Sequence, residues 1–241
     1  MKMIISLFLL AAMASSSGCF EPASYNNTTN PEITTPVSSD TIKLPDPEIT
    51  SSTPLEGTLF TRRSVRDYTE TPLSIKNVSQ LLWAAQGITA DWGGRTAPSA
   101  GGLYPLEVYV AVRSVSTLPP GVYKYRPEGH ELQKIKEGDI SSELYEAVLS
   151  QEWVKNGAIV IVIAAVYERT TQKYGDRGVR YVDIEVGHAG QNICLQATAL
   201  NLGAVTIGAF YDDQVKNVIG MADPETPVYV IPIGNINVTN A

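Results

Sequence analysis

An α+β domain is what this sequence predicts, and three stretches carry the expectation. Residues 74–87 place Ile75, Val78, Leu81, Leu82 and Ala85 at helical spacing, which gives a helix one apolar face. Residues 158–166 are an unbroken run of Ala, Ile and Val, the pattern of a strand buried on both faces. Between them, Gly121–Arg126 and Glu131–Lys136 flank the turn Pro127-Glu128-Gly129, which is a hairpin arrangement. Helices interspersed among strands, with one hairpin, make an α+β plan. In chain order, the first helix stops at Gly87, and Leu106–Arg113, rich in β-branched and aromatic residues, reads as a strand. The hairpin and the buried strand follow. Asp183–Leu202 reads as a long helix whose Gly187, Ala189, Gly190, Ala197 and Ala199 would let another element approach closely, in the core or at a subunit interface. Ala204–Ala209 is a short strand, Asp212–Ile219 a helix ended by Gly220, and Val228–Ile233 the last strand. The chain carries no internal repeat.

Two segments of different character precede this domain. Lys2 and the apolar run Ile4–Ala14 lead through Ser15-Ser16-Ser17-Gly18 to Cys19. The run is too short for a membrane-spanning helix, which needs roughly 20 apolar residues, and suits a signal peptide over residues 1–18. Small residues before the cysteine resemble the lipobox of prokaryotic lipoproteins, although Ser16 stands where an aliphatic residue is usual. The resemblance implies a lipid on Cys19 and an exported protein anchored to the outer face of the cell membrane. Residues 19–56 hold six of the fifteen prolines, twelve Ser or Thr, six acids and one lysine. That composition reads as a disordered acidic tether, leaving 57–241 as the folded domain. The tether carries −5 of the net charge of −7, and the domain, with 16 basic and 19 acidic residues, is nearly balanced. Such a chain lacks the basic surface that nucleic acid requires. Its two cysteines and two histidines support neither a disulfide framework nor a metal site.

Chemistry concentrates in three places. Arg62, Arg63 and Arg66 surround Ser64 just after the tether. Guanidinium forks and a hydroxyl suit one phosphate monoester, and a cation could also stabilise negative charge on a reduced heteroaromatic ring. The same residues could equally form a solvated basic loop. Pro98-Ser99-Ala100-Gly101 lies in a small-residue loop that would admit a flat ligand against backbone, or it is an ordinary turn. Ile207-Gly208-Ala209 places a glycine at a strand end, either as a terminator or with its N–H facing a ligand. His188, in the small-residue helix, reads as a packing or interface residue, and Cys194 as a buried thiol. No dedicated catalytic acid, base or nucleophile stands out.

Together these motifs resemble the nitroreductase family of flavoproteins, and within it the SagB-type dehydrogenases related to thiazoline oxidases. The resemblance runs from Arg62 to Gly234 and rests on Arg62–Tyr68, Leu81–Gly87, Pro98–Glu107, Gly187–Asn192 and Ile207–Phe210 in that order. It implies an FMN-binding fold with a central mixed or antiparallel sheet flanked by helices, and a homodimer with FMN at each end of the interface. It places Arg62, Arg63 and Ser64 on the FMN phosphate and Arg66 at the N1/C2-carbonyl side of the flavin. Pro98, Ser99, Ala100 and Gly101 would reach the cofactor from the second subunit, and Ile207, Gly208 and Ala209 would lie near N5. Where many relatives carry a basic residue after the last strand, this chain has Asn235. The expected activity is hydride or two-electron transfer to a small-molecule or peptide substrate. The alternative is a surface-anchored flavin- or ligand-binding protein without turnover.

Overall fold

A computed structural model describes residues 40–237. The expected signal peptide, Cys19 and the tether as far as residue 39 lie outside the described residues. The strands are β1 (Thr41–Lys43), β2 (Leu106–Val112), β3 (Gly121–Arg126), β4 (Glu131–Glu137), β5 (Ile159–Ala165), β6 (Leu202–Ala204) and β7 (Thr226–Asn235). They form one seven-stranded sheet in the order β1-β4-β3-β2-β5-β7-β6. Every neighbouring pair is antiparallel, so the mixed alternative falls away. The helices are α1 (Leu55–Thr61), α2 (Ile75–Gln86), α3 (Ser141–Ala147), α4 (Glu152–Asn156), α5 (Glu168–Tyr174), α6 (Arg177–Ala199) and α7 (Asp212–Ile219).

β5 explains the two-sided core. Successive side chains point to opposite faces of a strand, and all seven of its residues are buried. Ile159, Ile161, Ile163 and Ala165 join the cluster under α2 and α6, with Leu82, Val182 and Ile193. Val160, Val162 and Ala164 join the cluster under α3, α4 and α7, with Leu144, Val154 and Val215. An unbroken apolar run was required because helices cover both faces.

Local chemistry sets the helix ends. The Ser74 hydroxyl accepts from the Asn77 N–H at 3.1 Å while the Asn77 side chain accepts from the Ser74 N–H, a reciprocal cap that starts α2. At Gly87 any Cβ would lie 2.7 Å from the Trp83 carbonyl oxygen, so only glycine fits there. On α6, a Cβ at Gly190 would meet the Tyr229 ring at 2.9 Å, which is how the helix sits close on β7. Gly187 and His188 are exposed instead.

Two expectations are corrected. The tether does not run to Glu56: Thr41–Lys43 pairs with β4, Leu44 is buried in the core, and the Gln80 amide grips the backbone of Glu48 at both its N–H and its carbonyl. Backbone pairing and one buried leucine order a stretch whose composition is polar. The strand expected over Ala204–Ala209 ends at Ala204, and Ile207 makes only an isolated bridge to Val230. α1, α3, α4 and α5 are short and carry too little apolar periodicity to announce themselves.

Candidate functional site

The arginine segment is seated by a missing pair of side chains. Gly203 and Gly234 face each other across β6 and β7. A Cβ on Gly234 would lie 2.8 Å from Tyr68, and one on Gly203 would lie 2.8 Å from Val65. The bare patch lets residues 63–68 lie flat against the sheet edge, where the Val65 N–H donates to the Ala204 carbonyl at 3.0 Å. The Tyr68 hydroxyl sits 2.8 Å from the Val65 carbonyl and 3.1 Å from that of Pro232. Burial pushes its pKa up against the pull of Arg66, so it stays a neutral donor.

Arg63, Ser64, Arg66 and Tyr68, with Thr198 and Asn201, line a cavity of about 740 Å³. The Arg63 Nη1 donates to the carbonyls of Phe60 (3.0 Å) and Arg62 (2.8 Å), which anchors one nitrogen of an exposed guanidinium. Arg66 lies over the Trp153 ring, 5.3 Å from its centroid. The indole N–H of Trp153 is buried without a partner among the described residues. Two guanidiniums, a hydroxyl and a nearby orphaned donor, around a volume typical of ligand pockets, fit a phosphate-bearing group such as FMN. Arg62 is half-buried and does not line this cavity; its charge acts on Cys194, whose thiol burial nonetheless pushes up in pKa. Asn235 is otherwise engaged, its amide donating to the carbonyls of Thr71 and Pro72.

The other two motifs stand apart from this cavity within one chain. Ile207 exchanges both backbone hydrogen bonds with Val230, while Gly208 and Ala209 are exposed, and the Ala209 carbonyl accepts from Gln151. Pro98 and Ser99 enter a single 3-10 turn, Ala100–Gly102. Gly101 has φ 67° there, and a Cβ would lie 2.7 Å from the Tyr174 hydroxyl and 2.9 Å from the Lys173 ammonium. The positive φ favours glycine there, and α5 delivers two titratable groups that the sequence did not single out.

Two buried polar clusters adjoin these loops. On the α3/α4/α7 face, Lys124 is paired with Glu107 at 2.9 Å and with Glu225, which also accepts from the Tyr109 hydroxyl. Arg169 closes the set on Glu107. Burial would raise the Glu107 pKa, but the hydrogen bonds and charges of Lys124 and Arg169 outweigh it and hold the carboxyl below its usual range. On the α2/α6 face lies Glu185, only 2 % exposed, beside Ser99 and Arg95. Burial pushes its pKa up to about 7, against the opposing pull of Ser99 and Arg95. Its sequence signal was an acid on the same helical stripe as Val182, Val186 and Ala189.

Residues 59–235 match the family described as the nitroreductase family. The chain belongs to it. A protein of Methanocaldococcus jannaschii named as a nitroreductase, MJ1384, is 47% identical over 193 residues, covering 80% of this chain and 95% of its own length. The crystal structure of a nitroreductase from Ralstonia eutropha superposes with a TM-score of 0.73 at 32% identity, covering 83% of this chain and 91% of that one. The microcin B17-processing protein McbC of Escherichia coli is 29% identical over 175 residues, covering 68% of this chain and 63% of McbC. The antiparallel sheet flanked by helices is therefore a nitroreductase fold in a family of oxidoreductases.

Proposed function

We propose that this nitroreductase-family chain is an FMN-dependent oxidoreductase of the SagB type that works as a homodimer. The observation that carries the reading is the cavity walled by Arg63, Ser64 and Arg66. Bound FMN supplies hydride or two-electron chemistry at its N5. Arg63 and Ser64, backed by Arg62, hold the phosphate through charge-assisted hydrogen bonds. Arg66, steadied on Trp153, would face the side of the ring where reduction leaves negative charge. The exposed backbone of Gly208 and Ala209, outside the arginine cavity, would lie over the ring near N5.

A second copy completes the site. Leu59 and Phe60 on α1 and Val179 and Ile184 on α6 are exposed apolar side chains, Phe60 to 79 %. They form the surface that a twin would cover, bringing its Pro98–Gly101 loop to the cofactor. The substrate is a small molecule or a peptide, and the relation to a microcin-processing protein favours the peptide. We place the protein outside the cell, held by a lipid on Cys19. Among the described residues no helix is long and apolar enough to cross a membrane. Outside the cell the electron donor is a quinol, a small reductant or the substrate itself rather than cytosolic NAD(P)H.

The test is the visible spectrum of the purified protein before and after adding FMN, then anaerobic mixing with NADH, NADPH and a quinol analogue. Flavin absorbance that bleaches with a donor supports the reading. A protein that rejects FMN overturns it. FMN held but bleached by no donor leaves the alternative, a flavin-binding protein without turnover.

A further inference from the structure

We propose that Glu185 and Ser99 form a proton relay that serves the flavin site from its buried side. The proposal rests on the FMN reading above and adds to it a route for the proton that accompanies electron transfer.

Glu185 projects from α6 into the core, and the Oε1 of its carboxyl is buried without a partner among the described residues. A buried carboxyl kept only for structure has its oxygens paired, as Glu107 and Glu225 do. Glu185 has Ser99 in hydrogen-bonding contact and Arg95 as the charged group facing it. Ser99 already accepts from the Tyr104 N–H at 2.9 Å. A hydroxyl has one hydrogen and two lone pairs, so Ser99 keeps one lone pair to take a proton from Glu185 and one hydrogen to give onward. Ser99 is also in the loop that a second copy would lay against the cofactor.

Arg95, the charged group that faces Glu185, also borders a cavity shared with Glu107 and Arg169 of the other cluster. Gln86 and Arg95 wall this cavity, of about 230 Å³. The Gln86 side chain is 1 % exposed, its Oε1 accepts from Arg95 at 3.1 Å, and its Nε2 has no partner among the described residues. The Arg95 Nε is likewise buried and unpaired among them. Three orphaned polar atoms thus sit on residues linked through Arg95, between a polar cavity and the Ser99 loop. Desolvation keeps the Glu185 carboxyl protonated up to about pH 7, so below that pH it has a proton to give.

The step balances as a proton transfer alone. As two electrons arrive from the donor, Ser99 gives its hydroxyl proton into the site and takes the Glu185 proton on the same oxygen. The carboxylate left behind faces Arg95 and takes a proton back through Ser99 once the site again meets water. Substrate oxidation runs the same atoms in reverse.

Full-length protein, Glu185→Gln and Ser99→Ala provide the test. Infrared spectra of protein without flavin should show a protonated carboxyl that titrates near neutrality in wild type and in Ser99→Ala and is missing in Glu185→Gln. After FMN loading and rapid photoreduction, a pH indicator follows proton uptake. Glu185→Gln should bind FMN as wild type does and Ser99→Ala should still load with it; both should then take up the proton at least about tenfold more slowly and lose the step near neutrality in the pH profile. Wild-type uptake rates in either FMN-loaded variant overturn the relay and leave the FMN reading standing. A wild-type protein that shows the carboxyl band but binds no FMN overturns that reading, and the relay with it. Should Glu185→Gln fail to fold, Ser99→Ala, half-buried on its loop, decides.

Discussion

Lys124 and Glu185 are both buried, on opposite faces of one sheet, and their surroundings differ in kind. Lys124 stands between Glu107 and Glu225, with Tyr109 and Arg169 closing the set. Around Glu185, one carboxylate oxygen, the Gln86 Nε2 and the Arg95 Nε have no partner among the described residues. A closed network of buried charges is rigid, and breaking it is expensive. An open one is tolerated only where something other than stability maintains it. The contrast sets the first cluster in the scaffold and is what the proposed relay draws on in the second.

The sharpest way to break this contrast is Lys124→Met, which keeps the bulk and removes the charge. Glu107 and Glu225 would then share a buried space uncompensated. The expected loss is about 3–5 kcal/mol of stability, read from urea denaturation, with FMN affinity of the folded fraction unchanged. A loss below about 1 kcal/mol would mean that Lys124 is not structural in this sense.

Next in size is the arginine cavity. Arg63→Ala, at an exposed side chain, should leave the unfolding midpoint alone. It should weaken FMN binding about 10- to 100-fold, since a hydrogen bond to a charged group contributes roughly 1.5–3 kcal/mol. Fluorescence titration with FMN measures this, and Ser64→Ala should weaken binding by less. Unchanged affinity in both variants would remove the phosphate from this cavity.

How much of this was legible beforehand depends on length and on distance in sequence. β5, α7 and the β3–β4 hairpin were legible because each carries its signal within itself: an unbroken apolar run, a stop at Gly220 with φ 79°, a turn at Pro127–Gly129. β1 was not, because Thr41–Lys43 becomes a strand only by pairing with β4 far along the chain. The arginine cluster was legible as chemistry. Its seat was not, since Gly203 and Gly234 look unremarkable until β6 and β7 pair and Tyr68 fills the gap. Trp153 lies in a five-residue helix with no periodicity to mark it. Glu185 left a trace, an acid on an apolar stripe, but its neighbours Ser99 and Arg95 come from a loop some ninety residues earlier.

Glu185→Gln should act on stability with a definite sign. Its carboxyl has an ordinary value near 4.5 and is pushed up to about 7 in the folded protein. The folded state binds this proton more tightly, so its contribution is fully present below about pH 4.5 and lost as pH rises to about 7. Glutamine removes that loss. Glu185→Gln should therefore be about 1–2 kcal/mol more stable than wild type at pH 8 and close to it at pH 4.5, because a tenfold change in proton affinity corresponds to about 1.4 kcal/mol and the buried amide still carries a cost. Thermal melts across pH decide it. Parallel curves for the two proteins would place Glu185 among ordinary carboxylates and erase the difference between the clusters.

The smallest effect probes the edge of the open cluster. Glu128 bonds the Arg95 Nη2 at 3.3 Å with its side chain 70% exposed. Such rim pairs contribute little, so Glu128→Ala should cost less than about 0.5 kcal/mol. Its electrostatic effect should still be measurable, because Arg95 is only 13% exposed and also faces Glu185. Freed from Glu128, the guanidinium has more charge to offer the Glu185 carboxylate, and the Glu185 titration should move down in pH. A closed network would absorb the loss of one exposed partner without shifting any of its members. A downward shift in the infrared titration with stability unchanged would show that the Glu185 cluster is tunable. No shift would show that Arg95 belongs to the scaffold and that burial, opposed by Ser99, sets the proton affinity of Glu185.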